Sequence, residues 1–287
     1  MSGWLGGLAA RIGGRFRPDV ELPSGTRLER DLAYGSDPAQ RLDLYLPPEP
    51  TAGPLIVIVG GGAWSQGDKA APATMAGKLA HWLPTGRSIA SIGYRRLPEA
   101  DPLEQARDVA RALAFLQRRL AAEGHAPRDA FLVGHSSGAH LVALLAADMS
   151  SVAIDGVEPW LASVLIDSAA LDVVGLMEGP HLPLHDRAFG SSEAGWRHAS
   201  PLHRLRGQPA PMLLVHSSRR PLAGEQAREF AAAVVAMGGQ AEVLSIDLSH
   251  ADLNVGLGRD PEYTACIDAF LRTVVTGFDA AARPSGS

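Results

Sequence analysis

The sequence predicts an α/β fold: a mainly parallel sheet flanked by helices, in one domain with a small insertion. Two observations carry that expectation. Short apolar runs at 55–59 and 131–133 are hydrophobic throughout, as strands covered on both faces must be. Between such runs lie longer Ala/Leu/Arg-rich stretches with helical spacing, and regular alternation of the two implies βαβ units. With 46% hydrophobic and 20% charged residues, the 287-residue chain can bury a sizeable core and is not a disordered polyelectrolyte. A net charge of −5 excludes a global basic footprint for nucleic acid.

Residues 1–20 read as an N-terminal arm or short helix, because Arg11 interrupts the apolar stretch and no basic start precedes it. Segments 27–34 and 41–46 alternate in strand fashion around a turn, which predicts an antiparallel pair at one sheet edge. A strand at 55–60, a helix over 71–83 and a strand at 88–94 follow. The helix over 101–122 has Asp101 as N-cap, Pro102 in its first turn and Gly124 just past its end. Next come a strand at 129–135, a helix over 138–148 and a strand at 161–167. Residues 172–207, rich in His, Pro, Gly and Arg, break the rhythm and predict a cap insertion. A strand at 211–217, a helix over 224–237, a strand at 238–247 and a helix over 261–275 complete the order, with 281–287 as a frayed tail.

The chemistry centres on Gly134-His135-Ser136-Ser137-Gly138, a G-x-S-x-G sequence between an apolar strand and a helix. A nucleophile elbow needs this context, since the turn around the serine is too tight for neighbouring side chains. Ser136 is therefore the expected nucleophile. A serine hydroxyl needs a base, and His250 follows the last strand, at the sheet edge where Ser136 must also lie. His135, His140 and His216 suit structural roles better. An oxyanion site needs backbone N–H groups, which Ser137 and the Gly60-Gly61-Gly62-Ala63-Trp64 loop can offer. That glycine run lacks the P-loop and G-x-G-x-x-G spacings, so phosphate cradling is not its reading. His181, His185 and Asp186 have metal-like spacing, but Pro180 and Pro183 argue against a regular helix there, and loop polarity explains them. Arg107, Arg111, Arg118 and Arg119 read as the solvated face of their helix.

These motifs together resemble the α/β-hydrolase fold, and within it the hormone-sensitive-lipase-like and bacterial formamidase-like serine esterases with an H-G-G-G/A-W loop. The likeness runs from 41–47 through the glycine loop, 94–99, the elbow and 211–218 to 248–254. By position it implies Ser136 as nucleophile, His250 as base, Gly62, Ala63 and Ser137 as oxyanion donors, and Trp64 beside the substrate. Two departures stand out. The loop begins with Gly60 instead of histidine, and residues 219–222, where the family places its acid, read Arg-Arg-Pro-Leu. Glu225 is the expected substitute; Asp167, at the end of the neighbouring strand, and Asp247 or Asp252, beside His250, are alternatives.

The expected function is hydrolysis of carboxylic esters with small to medium acyl groups through an acyl-enzyme on Ser136. Arylformamidase-like amide hydrolysis, or a binding protein on a decayed hydrolase scaffold, are the alternatives. No cofactor or metal is implied. The expected partner is a small-molecule ester, with no nucleic acid or membrane and a homodimer left open. The single cysteine, Cys266, cannot form an internal bridge, and no run of about 18 apolar residues spans a membrane, so a cytoplasmic location is expected.

Overall fold

The structure, a computed structural model, describes residues 21–49, 53–126, 128–152 and 156–282. The expected N-terminal arm therefore lies outside the described residues. Eight strands form one sheet: β1 (Arg27–Ala33), β2 (Arg41–Leu46), β3 (Leu55–Val59), β4 (Ile89–Ile92), β5 (Ala130–His135), β6 (Ala162–Ile166), β7 (Met212–Ser217) and β8 (Ala241–Ile246). Their order is β1-β2-β4-β3-β5-β6-β7-β8. The pairs β1–β2 and β2–β4 are antiparallel and all others parallel, as the alternating segments at 27–46 and the apolar runs beyond them predict.

Helices α1 (Pro72–Trp82), α2 (Pro102–Ala122) and α3 (Ser137–Ala147) connect the first half, and α4 (Val173–Glu178), α5 (Pro183–Phe189), α6 (Glu193–Ala199) and α7 (Pro201–Arg204) fill 172–207. Then come α8 (Pro221–Ala236), α9 (His250–Gly256) and α10 (Pro261–Ala282). Residues 283–287 of the expected tail lie outside the described residues. The Asp101 carboxylate accepts the Glu104 N–H at 2.8 Å and the Glu104 carboxylate accepts the Asp101 N–H at 3.1 Å, a reciprocal cap that fixes where α2 begins. The short helix α5 forms despite Pro183, which occupies its first turn, where a missing N–H costs nothing. The expected loop at 181–186 is thus corrected in part.

The two faces of the sheet are both buried, with the period of two that strands impose. Val57, Val59 and Leu132 point to one face, under Leu113 of α2, Leu141 of α3 and Phe230 of α8. Ile56, Ile58, Phe131 and Val133 point to the other, against Leu79 and Trp82 of α1, Leu253 of α9 and Tyr263 and Ile267 of α10. The α2 arginines are not uniformly solvated. Arg119 makes a paired contact to the Glu29 carboxylate of β1 at 2.6 and 2.9 Å, and Arg111 reaches the buried Asp108 at 3.0 Å.

Candidate active site

The parallel strands bring the C-terminal ends of β3, β5, β6, β7 and β8 to one edge, and the predicted chemistry gathers there. Ser136 sits between β5 and α3 at φ 56° and ψ −122°, a conformation held by its N–H to Ile166 O bond at 2.8 Å and by the following helix. The turn closes tightly. A Cβ on Gly138 would lie 2.1 Å from Val59 O, so only glycine permits the elbow to rest on β3. The 60–64 loop presses on the same point, because a Cβ on Gly61 would fall 2.9 Å from Ser136 Cβ.

Five non-glycine residues among those described take positive φ: Asp31, Ala63, Trp64, Ser136 and Asp167. Four of them line one cavity of about 710 Å³. Each such residue costs on the order of 1–3 kcal/mol, and such strain persists where the surrounding structure over-determines it. The sequence offered no signal for this, since none of the four is glycine.

His250 is the first residue of α9, capped by Ser249, whose hydroxyl accepts the Asp252 N–H at 3.2 Å. Its Nε2 lies 3.1 Å from Ser136 Oγ. Its Nδ1 lies 2.6 Å from Asp167 Oδ2. Asp167 directly follows β6, which pairs with β5, and its carboxylate is wholly buried. The expected acid, Glu225, is exposed on α8, and the carboxylate beside the ring is Asp167. Asp247 instead pairs with Arg219 at 2.8 Å, and the Asp252 carboxylate accepts the Ser249 hydroxyl at 2.6 Å. The physical reason is topological: β6 delivers the residue that directly follows it to the ring, while α8 carries Glu225 on its exposed face.

Arg220, near the position where the resembled family keeps its acid, clasps the replacement. Its Nη1 donates to Asp167 O at 2.9 Å and to Oδ2 at 2.6 Å, and it lies 2.8 Å from His250 Nδ1. The Ser217 N–H donates to Asp167 Oδ1 at 3.0 Å. Assigning the ring proton to Nδ1 makes His250 and Arg220 two donors on one carboxylate oxygen and leaves Nε2 as an acceptor towards Ser136. Burial pushes the Asp167 carboxyl up, but the bonds from His250, Ser217 and Arg220, with the Arg220 charge, outweigh it and bring it down to about 2.

Gly62, Ala63 and Ser137 line the cavity with Ser136, and none of their N–H groups donates to a backbone carbonyl among the described residues. The glycine replacing the loop's histidine is anchored another way, by the Tyr94 hydroxyl donating to Gly60 O at 2.7 Å. Trp64 is buried. Its indole N–H donates to His140 Nδ1 at 3.1 Å, and His140 Nε2 donates to Ala199 O at 2.8 Å. Burial holds His140 down at about 4, so the ring is a neutral strut. His135 Nε2 donates to His250 O at 3.0 Å, and burial beside the His250 ring lowers it to about 3. Leu182, Leu184, His185 and Arg187, on or next to α5, complete the cavity wall, whereas Trp196 turns its N–H to Gly190 O at 2.9 Å. His181 bonds Asp186 at 3.1 Å, and no metal-holding cluster occurs among the described residues.

A serine in a strained strand–helix elbow, a histidine after the last strand and a wholly buried aspartate on one parallel sheet edge decide the fold class. The chain has the α/β-hydrolase fold and resembles esterases. A family model described as BD-FAE matches residues 42–174 of the chain, a span holding Ser136 and Asp167 but not His250. A rice protein (Oryza sativa subsp. japonica) named probable isoprenylcysteine alpha-carbonyl methylesterase ICMEL1 is 36% identical over 115 residues, covering 40% of this chain and 26% of that protein. The Arabidopsis thaliana isoprenylcysteine alpha-carbonyl methylesterase ICME is 29% identical over 252 residues, covering 79% of this chain and 57% of that protein. The chain therefore spans between about a quarter and just over half the length of these curated relatives. A phosphonate-inhibited esterase B from Lactobacillus rhamnosis shares the fold with a TM-score of 0.72 at 20% identity, over 92% of this chain and 90% of that one.

Proposed function

We propose that the chain hydrolyses carboxylic esters of small to medium acyl groups through an acyl-enzyme on Ser136. The observation that carries this reading is the unbroken relay from Ser136 Oγ to His250 Nε2 at 3.1 Å and from His250 Nδ1 to Asp167 Oδ2 at 2.6 Å. Ser136 Oγ attacks the ester carbonyl as His250 Nε2 takes its proton; Asp167 holds the ring in the required tautomer and stabilises the imidazolium. The oxyanion rests on the N–H groups of Gly62 or Ala63 and of Ser137. His250 then protonates the leaving alcohol, and the ring activates a water that releases the acid. Helices α4 to α7 act as the cap over the cavity. The cytoplasmic reading rests on the single cysteine, Cys266.

The test is hydrolysis of 4-nitrophenyl butyrate by wild type and Ser136→Ala. Loss of about 10⁵-fold or more in kcat is expected, from the size of nucleophile deletions in serine hydrolases. Equal rates in the two proteins would overturn the reading. An N-formyl aromatic amine assayed alongside separates ester from amide chemistry, and the ester is expected to turn over faster.

A further inference from the structure

The charge lining the cavity is one-sided. Arg187 and Arg220 both face it, while its one lining carboxylate, Asp167, is fully buried and already bonded to Arg220 and His250. Arg187 has no ion-pair partner among the described residues: the adjacent Asp186 is engaged by His181 at 3.1 Å. Arg220 commits Nη1 to Asp167, which leaves the Nη2 face of its guanidinium for another acceptor. The remaining walls are mixed: Trp64, Leu182, Leu184 and Val255 are apolar, while Gln66, Thr74, Ser168 and Asn254 add neutral polar groups. A second cavity of about 400 Å³ lies against the first across Arg220, Leu182 and His185, and none of its lining residues is acidic.

We propose, resting on the ester-hydrolase reading, that the substrate is an ester bearing a free carboxylate, which Arg187 and the outer edge of Arg220 hold while apolar walls take its hydrocarbon part. Two guanidinium groups in a partly apolar cleft favour a carboxylate because each N–H pair matches its two oxygens and the walls limit competing water. His185 adds no third charge, because burial and the neighbouring His181 hold it below its ordinary value, leaving it neutral at pH 7. A neutral ester of the same size would fill the same space but leave Arg187 without its counter-charge. Arg187 is thus a specificity residue for the part of the substrate remote from the scissile bond.

The experiment compares 4-acetoxybenzoate with 4-acetoxybenzamide, which differ in charge but little in shape, in wild type, Arg187→Gln and Arg187→Lys. Binding of the product 4-hydroxybenzoate to the same proteins is measured by calorimetry. We expect kcat/KM to favour the anionic ester at least tenfold in wild type. That ratio should fall about tenfold in Arg187→Gln and recover in part in Arg187→Lys, with parallel weakening of 4-hydroxybenzoate binding. A ratio near one, or a ratio and an affinity indifferent to Arg187→Gln, overturns the proposal. If neither ester turns over yet 4-hydroxybenzoate binds through Arg187, the anion site stands and the hydrolase reading falls.

Discussion

In the proposed mechanism Asp167 orients the His250 ring and balances the charge it gains, and its bonds divide that work. Oδ1 is held by the Ser217 N–H and Oδ2 by His250 and Arg220, so the carboxylate cannot rotate. Replacing it with asparagine puts an amide N–H beside Nδ1, favours the wrong ring tautomer and strands Arg220. We predict that Asp167→Asn lowers kcat by about 10⁴-fold, the loss seen when a triad aspartate becomes asparagine. Glu225→Gln, on the exposed face of α8, is expected to leave kcat within about twofold, as surface substitutions usually do. Steady-state kinetics of the two variants checks both. The pH sign follows from the carboxyl lying near 2 when folded against an ordinary value of 3.8. A lowered folded value stabilises the protein fully above the ordinary value and is lost as pH falls through the folded one. The stability gap between wild type and Asp167→Asn, read from urea unfolding, should be constant above about pH 5 and shrink towards pH 2.

At the scale of elements, two buried side chains tie the parts of the site together. His140 joins α3, the 60–64 loop and the end of α6 through Trp64 and Ala199, and Phe189 of α5 packs on the Trp64 ring at 4.8 Å. Its neutral ring, held near 4, contributes stability that is complete above the ordinary histidine value and is lost as pH falls through 4. Melting temperature should therefore drop between pH 6.5 and 4, and His140→Gln should flatten that drop without abolishing it, because His135 shares the behaviour. Lys78 is the second tie. Fully buried on α1, it donates to Thr74 O and Asn254 O at 2.6 Å and to Asn254 Oδ1 at 3.1 Å, fastening α1 to the helix that begins with His250. Burial, then the Arg259 charge, lowers it to about 7. Lys78→Ala removes these three bonds and the packing of a buried side chain and should cost about 2–4 kcal/mol in denaturant unfolding, with a lower kcat from a loosened α9.

Across the whole molecule, the sheet was legible because its strands differ so plainly from their connections: 55–59 and 131–133 are unbroken apolar runs, and Asp101 with Glu104 marks the start of α2. Ser136 and His250 were legible because an elbow and a strand end have local signatures. The acid was not, since Asp167 reaches His250 from 83 residues away through sheet topology that no spacing encodes. Its signal was its place at the end of the strand beside β5, which ranked below the nearer Glu225. Helix α9 also went unread, although Ser249 and Asp252 have the spacing of a helix cap. No helix among the described residues is long and apolar enough to cross a membrane. The one cysteine, Cys266, is exposed, so dithiothreitol should leave the melting temperature unchanged, which thermal scans with and without it will check.

The relay from Ser136 through His250 to Asp167 is tested most directly by a fluorophosphonate, followed by peptide mapping of the adduct. The account predicts rapid stoichiometric labelling at Ser136 and labelling slower by at least about 10³-fold in His250→Gln, as expected for a serine deprived of its base. An adduct on another residue, or a rate at Ser136 that ignores the loss of His250, would contradict it.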